Sequence, residues 1–437
     1  MTLREEYGKL VEIGRGTFGV VFTTACPETA VKKTFKGSDI LAVEFEHGLA
    51  MSFAVTTTSP SFSHAFPNIP IPRVPWYQSS HGMHKPSAKD PWWIVNQNRL
   101  PSSNGDDVPN GVFLFERIPP VPRRLQESLI RQFWSQERRQ AALDDPENRD
   151  CMIRPYLQET WAYYGPRRKG KRLNNEQKDS LRNFAVYLDD LEVLNIDACA
   201  VARQIAAGLA VAHWEAQQDL TDAEFVIAGK HQPTAMAARG HTLPLVAYDK
   251  RDDLGNRTIL DFENLPLASS TKTNGSLHAG KPVQSQQGLP AGTQMWLVDF
   301  DKCNRVQVWD DSLAKDIKKL ALGICANDPY YPSPLPDTQI GWDVFLEFTN
   351  TYIEAGRHIL QQSFERAATS DGQLQKVLQR PAMVMREWTR VVMSAKKNNE
   401  RELFDARIGI RREKGWVWPG WVKEGREEER VLTERSS

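Results

Sequence analysis

Residues 10–34 read LVEIGRGTFGVVFTTACPETAVKKT, and this stretch decides the fold. Short apolar runs lie on both sides of a glycine turn. The pattern predicts an antiparallel meander: one strand ending in VEIG, a second through GVVFTTA and a third through ETAVKKTF. Gly14, Gly16 and Gly19, followed by Val21, are spaced G-x-G-x-x-G-x-V. Glycines at that spacing let the backbone approach phosphate oxygens closely and turn its N–H groups into donors. A dinucleotide-binding loop runs from strand into helix, whereas this one runs from strand into strand. Lys32 follows thirteen residues after Gly19, inside an apolar strand. A buried ammonium needs an anionic partner. The next segment, 38–55, has helical spacing at Leu41, Phe45 and Leu49 and carries two carboxylates, Glu44 and Glu46. Glu44 shares the inward face of that helix, with Glu46 as the alternative.

Outward from this stretch, residues 56–110 read as loop-rich. Two islands stand out: IPIPRVPWYQ, an edge strand broken by prolines, and PWWIV, another strand. GVFLFERI at 111–118 is a strand, and PPVP after it is a connector. From residue 124 the periodicity becomes helical, in LQESLIRQFW, LRNFAVYLDDLEVLN, DACAVARQIAAGLAVAHW, LAKDIKKLALGICA and WDVFLEFTNTYIEAGRHILQQSFERA. Residues 230–293 are polar and read as an irregular insertion outside the core, and MWLVDF at 295–300 is a buried strand. Strands first and helices afterwards predict an α+β chain with two lobes. The β-rich lobe covers 1–115, a hinge covers 116–123, and the helical lobe covers 124–400 with its insertion at about 230–293. A charged extension, 401–437, closes the chain.

These elements resemble a protein kinase, so the expected fold is protein-kinase-like and bilobal, with a long inserted loop. The resemblance places Gly14, Gly16 and Gly19 over the phosphates of ATP, with Lys32 on those phosphates and Glu44 orienting it. The adenine would bond to backbone groups near Glu116, Arg117 and Ile118. In the run QQDLTDAEFVI at 217–227, Asp219 stands at the catalytic-base position, with Asp222 as the alternative. Glu224 stands where a kinase carries its metal-binding Asn. Val298-Asp299-Phe300-Asp301 stands for D-F-G, with Asp299 as a ligand of Mg2+. Two functions fit. One is an ATP- and Mg2+-dependent phosphotransferase acting on a small molecule or a protein. The other is a catalytically weak pseudokinase that serves as a binding or scaffold module. The second draws on four departures: Gln217 and Gln218 replace His and Arg, Glu224 replaces Asn, and Asp301 replaces Gly.

Composition narrows the classes. Of 437 residues, 55 are Lys or Arg and 55 are Asp or Glu, so net charge gives no support to binding nucleic acid or a membrane surface. The five cysteines are scattered and no C-x-x-C occurs, which fits a reducing compartment and neither a disulfide framework nor a zinc finger. His81 and His84 form an H-x-x-H with no cysteine pair near them. The N-terminal MTLREEYGKL is charged and lacks the apolar core of a signal peptide. The most apolar stretch, 196–214, carries Asp197, Arg203 and Gln204 and reads as a buried helix rather than a membrane span. The expected location is the cytoplasm, with the nucleus as the alternative. Trp92, Trp93, Trp342 and Trp416 read as core or lobe packing, and the basic run 167–172 as a solvated loop.

ERIPPVP at 116–122, IRPYL at 153–157, LRNFAVYLDDLE at 181–192, AHWEAQQDLTDAEFVIAG at 212–229, WLVDFDKC at 296–303 and NDPYYP at 327–332 resemble a known family. It is a fungal group carrying a domain of unknown function, often called zinc finger proteins. The resemblance implies a soluble fungal protein, sometimes encoded beside biosynthetic genes and so linked to secondary metabolism. The family's name and the basic run prompt a third reading, a nucleic-acid-associated regulator, which the zero net charge opposes.

Overall fold

In the computed structural model the glycine stretch folds as three antiparallel strands: β1 (Val11–Arg15), β2 (Gly19–Thr23) and β3 (Thr29–Thr34). The structure describes residues 10–16, 18–24, 26–35, 38–82, 88–100, 110–158, 180–230, 249–251, 257–259, 288–308, 313–327, 329–336, 338–366 and 371–395. Helix α1 (Ser38–Ala65) follows, then β4 (Tyr77–His81), α2 (Pro91–Asn96) and β5 (Val112–Glu116). The strands form one antiparallel sheet in the order β1-β2-β3-β5-β4. Alternation along the strands separates two apolar faces. Val20, Phe22, Val31 and Val112 pack with Trp92 and Trp93, while Tyr77 and Phe113 join α1 in the main core.

Two expectations change here. Helix α1 runs to Ala65, ten residues past the segment with clear helical spacing. Ser and Thr residues in those turns bond back onto the helix, as Thr56 does to the Ser52 carbonyl and Ser59 to the Val55 carbonyl. Phe62 is fully buried and anchors the added turns. PWWIV is a helix and not a strand. Asp90 caps it by accepting from the Trp92 N–H, and Pro91 sits at its first turn. Trp92 and Trp93 bury together while Ile94 and Val95 stay exposed, a pairing that a strand's alternation does not allow.

The rest of the chain is mostly helical: α3 (Arg123–Phe133), α4 (Gln136–Asp144), β6 (Ile153–Pro155), β7 (Phe184–Val186), α5 (Leu188–Val193) and α6 (Ala198–Trp214). Then come β8 (Glu224–Gly229), β9 (Asp249–Arg251), β10 (Arg257–Ile259), β11 (Thr293–Val298), α7 (Leu313–Ala326), α8 (Gln339–Arg366), α9 (Asp371–Leu378) and α10 (Arg380–Ala395). LRNFAVYLDDLEVLN splits into β7 and α5 rather than forming one helix. Asn183 and Asn195 adopt left-handed backbone at its two ends, and Tyr187 donates its N–H to Asp190 to start α5. A second sheet has the order β11-β8-β6-β7. Helix α6 is buried along nearly its whole length and packs on α8. Burying each large apolar side chain there stabilises the fold by about 1.5–3 kcal/mol.

Residues 231–284 form a unit of their own, in which β9 pairs with β10. The insertion is shorter than expected at its far end: Leu289 is buried and Thr293 already belongs to β11. His84, the basic run 167–172 and the extension 401–437 lie outside the described residues.

Candidate functional site

The two lysines of β3 point to opposite faces, as strand alternation requires. Lys33 is buried over the Trp93 ring, 5.8 Å from its centroid. Lys32 faces α1. Its Nζ lies 2.7 Å from the Glu44 carboxylate and 2.8 Å from Asp299 Oδ1. Of the two carboxylates on α1, Glu44 is buried and Glu46 is exposed. Gly48, one turn after Glu44, lets this happen, because a Cβ there would overlap the Tyr77 ring and push α1 off the sheet. Burial alone would lower the Lys32 ammonium, but Asp299 and Glu44 outweigh it and hold the group above its ordinary value. Burial pushes Glu44 up to about 8, against the pull of Lys32.

Around this centre lies a cleft of about 990 Å3, its open mouth included. Gly14, Gly16 and Gly19 border one side, and Ile13, Val21, Ala30, Phe115, Met152 and Val298 supply apolar walls. Arg117, Ile118 and Pro120 line the connector between the two sheets. Glu116 does not line the cleft. Its carboxylate accepts from Arg73 and from the Trp76 N–H. The Glu116 N–H goes to the Trp76 carbonyl and the Arg117 N–H to the Glu28 carbonyl. Ile118 lines the cleft, and among the described residues its N–H shows no backbone partner.

The floor is charged. Glu224 opens β8 opposite Val298, the last residue of β11, so Asp299 emerges beside it. Arg154, from β6, donates to Glu224 Oε1 at 2.7 Å. Burial pushes Glu224 up to about 7, opposed by Arg154 and reinforced by Asp299. Burial would raise Asp299 as well, but Lys32, Arg154 and Lys302 hold it below its ordinary value. Asp299 has φ +62°, a left-handed backbone that Asp tolerates better than most residues. Phe300 after it is fully buried, and burial with the Asp299 charge pushes Asp301 up to about 6.

Asp219 does not reach this cleft. It is 3% exposed, and its carboxylate accepts from the Thr221 N–H, the Asn304 N–H and the Asn304 side-chain amide. Those bonds tie the loop of Gln217, Leu220 and Asp222, all left-handed, to the segment after Asp299. Leu220 is bulky for that conformation, so the turn is strained and held by its surroundings. Asp222 is half-buried and forms an ion pair with Lys302, whose ammonium also lies over the Phe18 ring of the glycine turn.

The structure thus brings Gly14, Gly16, Gly19, Lys32, Glu44, Ile118, Glu224 and Asp299 to one cleft and leaves Asp219, Asp222 and Glu116 outside it. Among the described residues no three His, Cys, Asp or Glu side chains gather as a metal site. Glu224 and Asp299 each already face a fixed cation, Arg154 and Lys32. As it stands the donor set does not fit a magnesium ion, which asks for oxygens free to coordinate it. Arg154 is the floor residue that sequence reasoning missed. The signal was present in IRPYL: an arginine in a short apolar strand needs an anion for the same reason as Lys32.

Residues 295–364 match a family described as Zinc finger protein. The matched part includes Asp299 and most of α8 but neither the glycine turn nor Lys32. No curated protein and no solved structure matches the chain. The match is to a minor part of the chain, and that part holds no cluster of metal-ligating side chains among the described residues.

Proposed function

We propose that this chain is a kinase-like nucleotide-binding protein. In this reading the five-stranded sheet with α1 is the small lobe, residues 116–123 are the hinge, and the helices after them are the large lobe. ATP lies in the cleft, its base between Ala30 and Met152 and in reach of the Ile118 backbone. Its phosphates lie under Gly14, Gly16 and Gly19, against Lys32. The observation that carries the reading is the placement of Lys32 between Glu44 and Asp299 beneath a glycine turn. A lysine held by two carboxylates at a cleft wall is pre-oriented for an anion, as in phosphoryl-transfer sites. Isothermal titration with ATP tests it: the intact protein binds, and Lys32→Ala loses binding.

The scaffold form of this reading is the stronger one, because the Asp219 carboxylate is occupied by Asn304 and Thr221. Phosphoryl transfer to a small molecule or a protein is the second reading. The strained turn at Gln217, Leu220 and Asp222 favours it, since such strain collects at functional sites. Asp222, half-buried beside Lys302, is then the candidate base. Hydrolysis of labelled ATP separates the two readings: turnover that disappears in Asp222→Asn supports transfer, and no turnover supports the scaffold.

A further inference from the structure

We propose, resting on the nucleotide-binding reading above, that Arg154 is a fixed counter-charge of the cleft and that nucleotide binds here without a divalent cation. Lys32 faces two carboxylates, Glu44 and Asp299, and Glu224 lines the same cleft, so acids outnumber the lysine there, an excess that ordinarily favours a further cation. Arg154 changes that balance. Its guanidinium sits 2.7 Å from Glu224, with its side chain 23% exposed toward the cleft that both residues line. It is planar, permanently charged and carries five N–H donors, so its bond to Glu224 leaves donors for phosphate oxygens.

The strand that carries Arg154 also holds it in place. β6 pairs with β7 on one side and β8 on the other. Arg154 also bonds to the Tyr156 hydroxyl. The Tyr156 ring is packed edge-on against Tyr330 at 4.8 Å and Tyr187 at 5.1 Å between centroids. A cation fixed in this way is pre-organised and needs no reorganisation to meet an anion. Arg154 and Lys32 then face the phosphates from two sides, where a kinase uses one lysine and its metal ions.

The test is isothermal titration with ATP, in EDTA and in excess MgCl2, on the intact protein and on Arg154→Gln and Glu224→Gln, with thermal unfolding as the check of folding. The intact protein binds ATP in EDTA within about threefold of its affinity in MgCl2. Arg154→Gln weakens binding in EDTA by about tenfold or more, and MgCl2 restores part of it because Glu224 is freed. Glu224→Gln strengthens binding in EDTA, since a carboxylate beside the phosphates is gone while Arg154 remains. Binding by the intact protein only with MgCl2 overturns this inference and leaves the nucleotide reading standing. Absence of binding in both conditions overturns both. If Arg154→Gln does not fold, Glu224→Gln decides, and an unchanged or weaker affinity in EDTA overturns the inference.

Discussion

The Lys32 ammonium lies 2.8 Å from Asp299 Oδ1, on a residue 267 positions further along the chain. The contact joins the glycine-turn sheet to the strand that ends the second sheet, and Glu44 closes it from α1 at 2.7 Å. Lys32→Ala removes the cation shared by both carboxylates. We expect loss of ATP binding by about tenfold or more and a loss of stability of about 2–3 kcal/mol, measured by titration and urea unfolding. The stability loss stays below that of a bare buried charge because Glu44, already pushed up to about 8, takes up a proton. Glu46→Gln, on the exposed face of the same helix, changes neither quantity.

The glycine turn separates folding from binding. A Cβ at Gly16 meets nothing within 4 Å, whereas one at Gly19 would lie 2.5 Å from the Lys33 carbonyl oxygen. Gly16→Ala therefore keeps its melting temperature but binds ATP more weakly, because the methyl group stands where phosphate must approach. Gly19→Ala lowers stability by about 1–3 kcal/mol, since β2 and β3 must part to admit it. Equal loss of stability in the two variants would contradict the geometry of the turn.

Asp219 is expected to act on the fold. Asp219→Ala strips the Asn304 N–H and amide of their buried acceptor, which costs about 1–3 kcal/mol. ATP affinity should remain unchanged, because the side chain does not border the cleft. A large drop in affinity with unchanged stability would assign Asp219 to the site after all.

His213 gives the protein an acid limit. It is fully buried, its Nδ1 is 2.7 Å from the Tyr352 hydroxyl, and burial pushes its pKa down to about 3. The unfolded chain protonates this group near the ordinary histidine value of 6.5, while the native state does not until about 3. Its contribution is therefore complete above about pH 6.5 and is lost as pH falls toward 3. Between pH 6.5 and 5 the loss is about 2 kcal/mol. Urea unfolding at pH 7 and pH 5 measures it, and His213→Phe should flatten the dependence.

Deleting residues 231–284 and joining the ends with a short turn should leave a cooperatively folding protein. β8 and β11 are antiparallel neighbours with Gly229 opposite Thr293, and the Lys230 N–H bonds to the Gly292 carbonyl, so a hairpin loop can span the gap. Calorimetry should then give one transition within a few degrees of the intact protein, and loss of the transition would make the insertion a structural element.

The sequence alone determined whatever depends on neighbours along the chain. The strand–glycine turn–strand of residues 11–23, the alternation of β3 and the helical repeat of α6, α7 and α8 follow from periods of two and 3.6 residues and are legible as such. So was the need of a strand lysine for an acid on the next helix, because local spacing already put Glu44 on the inner face. Tertiary structure alone decided what depends on residues far apart in the chain. PWWIV became a helix because Trp92 and Trp93 together fill one apolar cluster under the sheet. Asp219 turned inward because Asn304, brought up after β11, offers its carboxylate two donors, the backbone N–H and the side-chain amide. Arg154 entered the floor because β6 pairs with β8, the strand that begins at Glu224. Local periodicity places a side chain on a face of its own element, but only packing of the elements decides which distant charge it meets there.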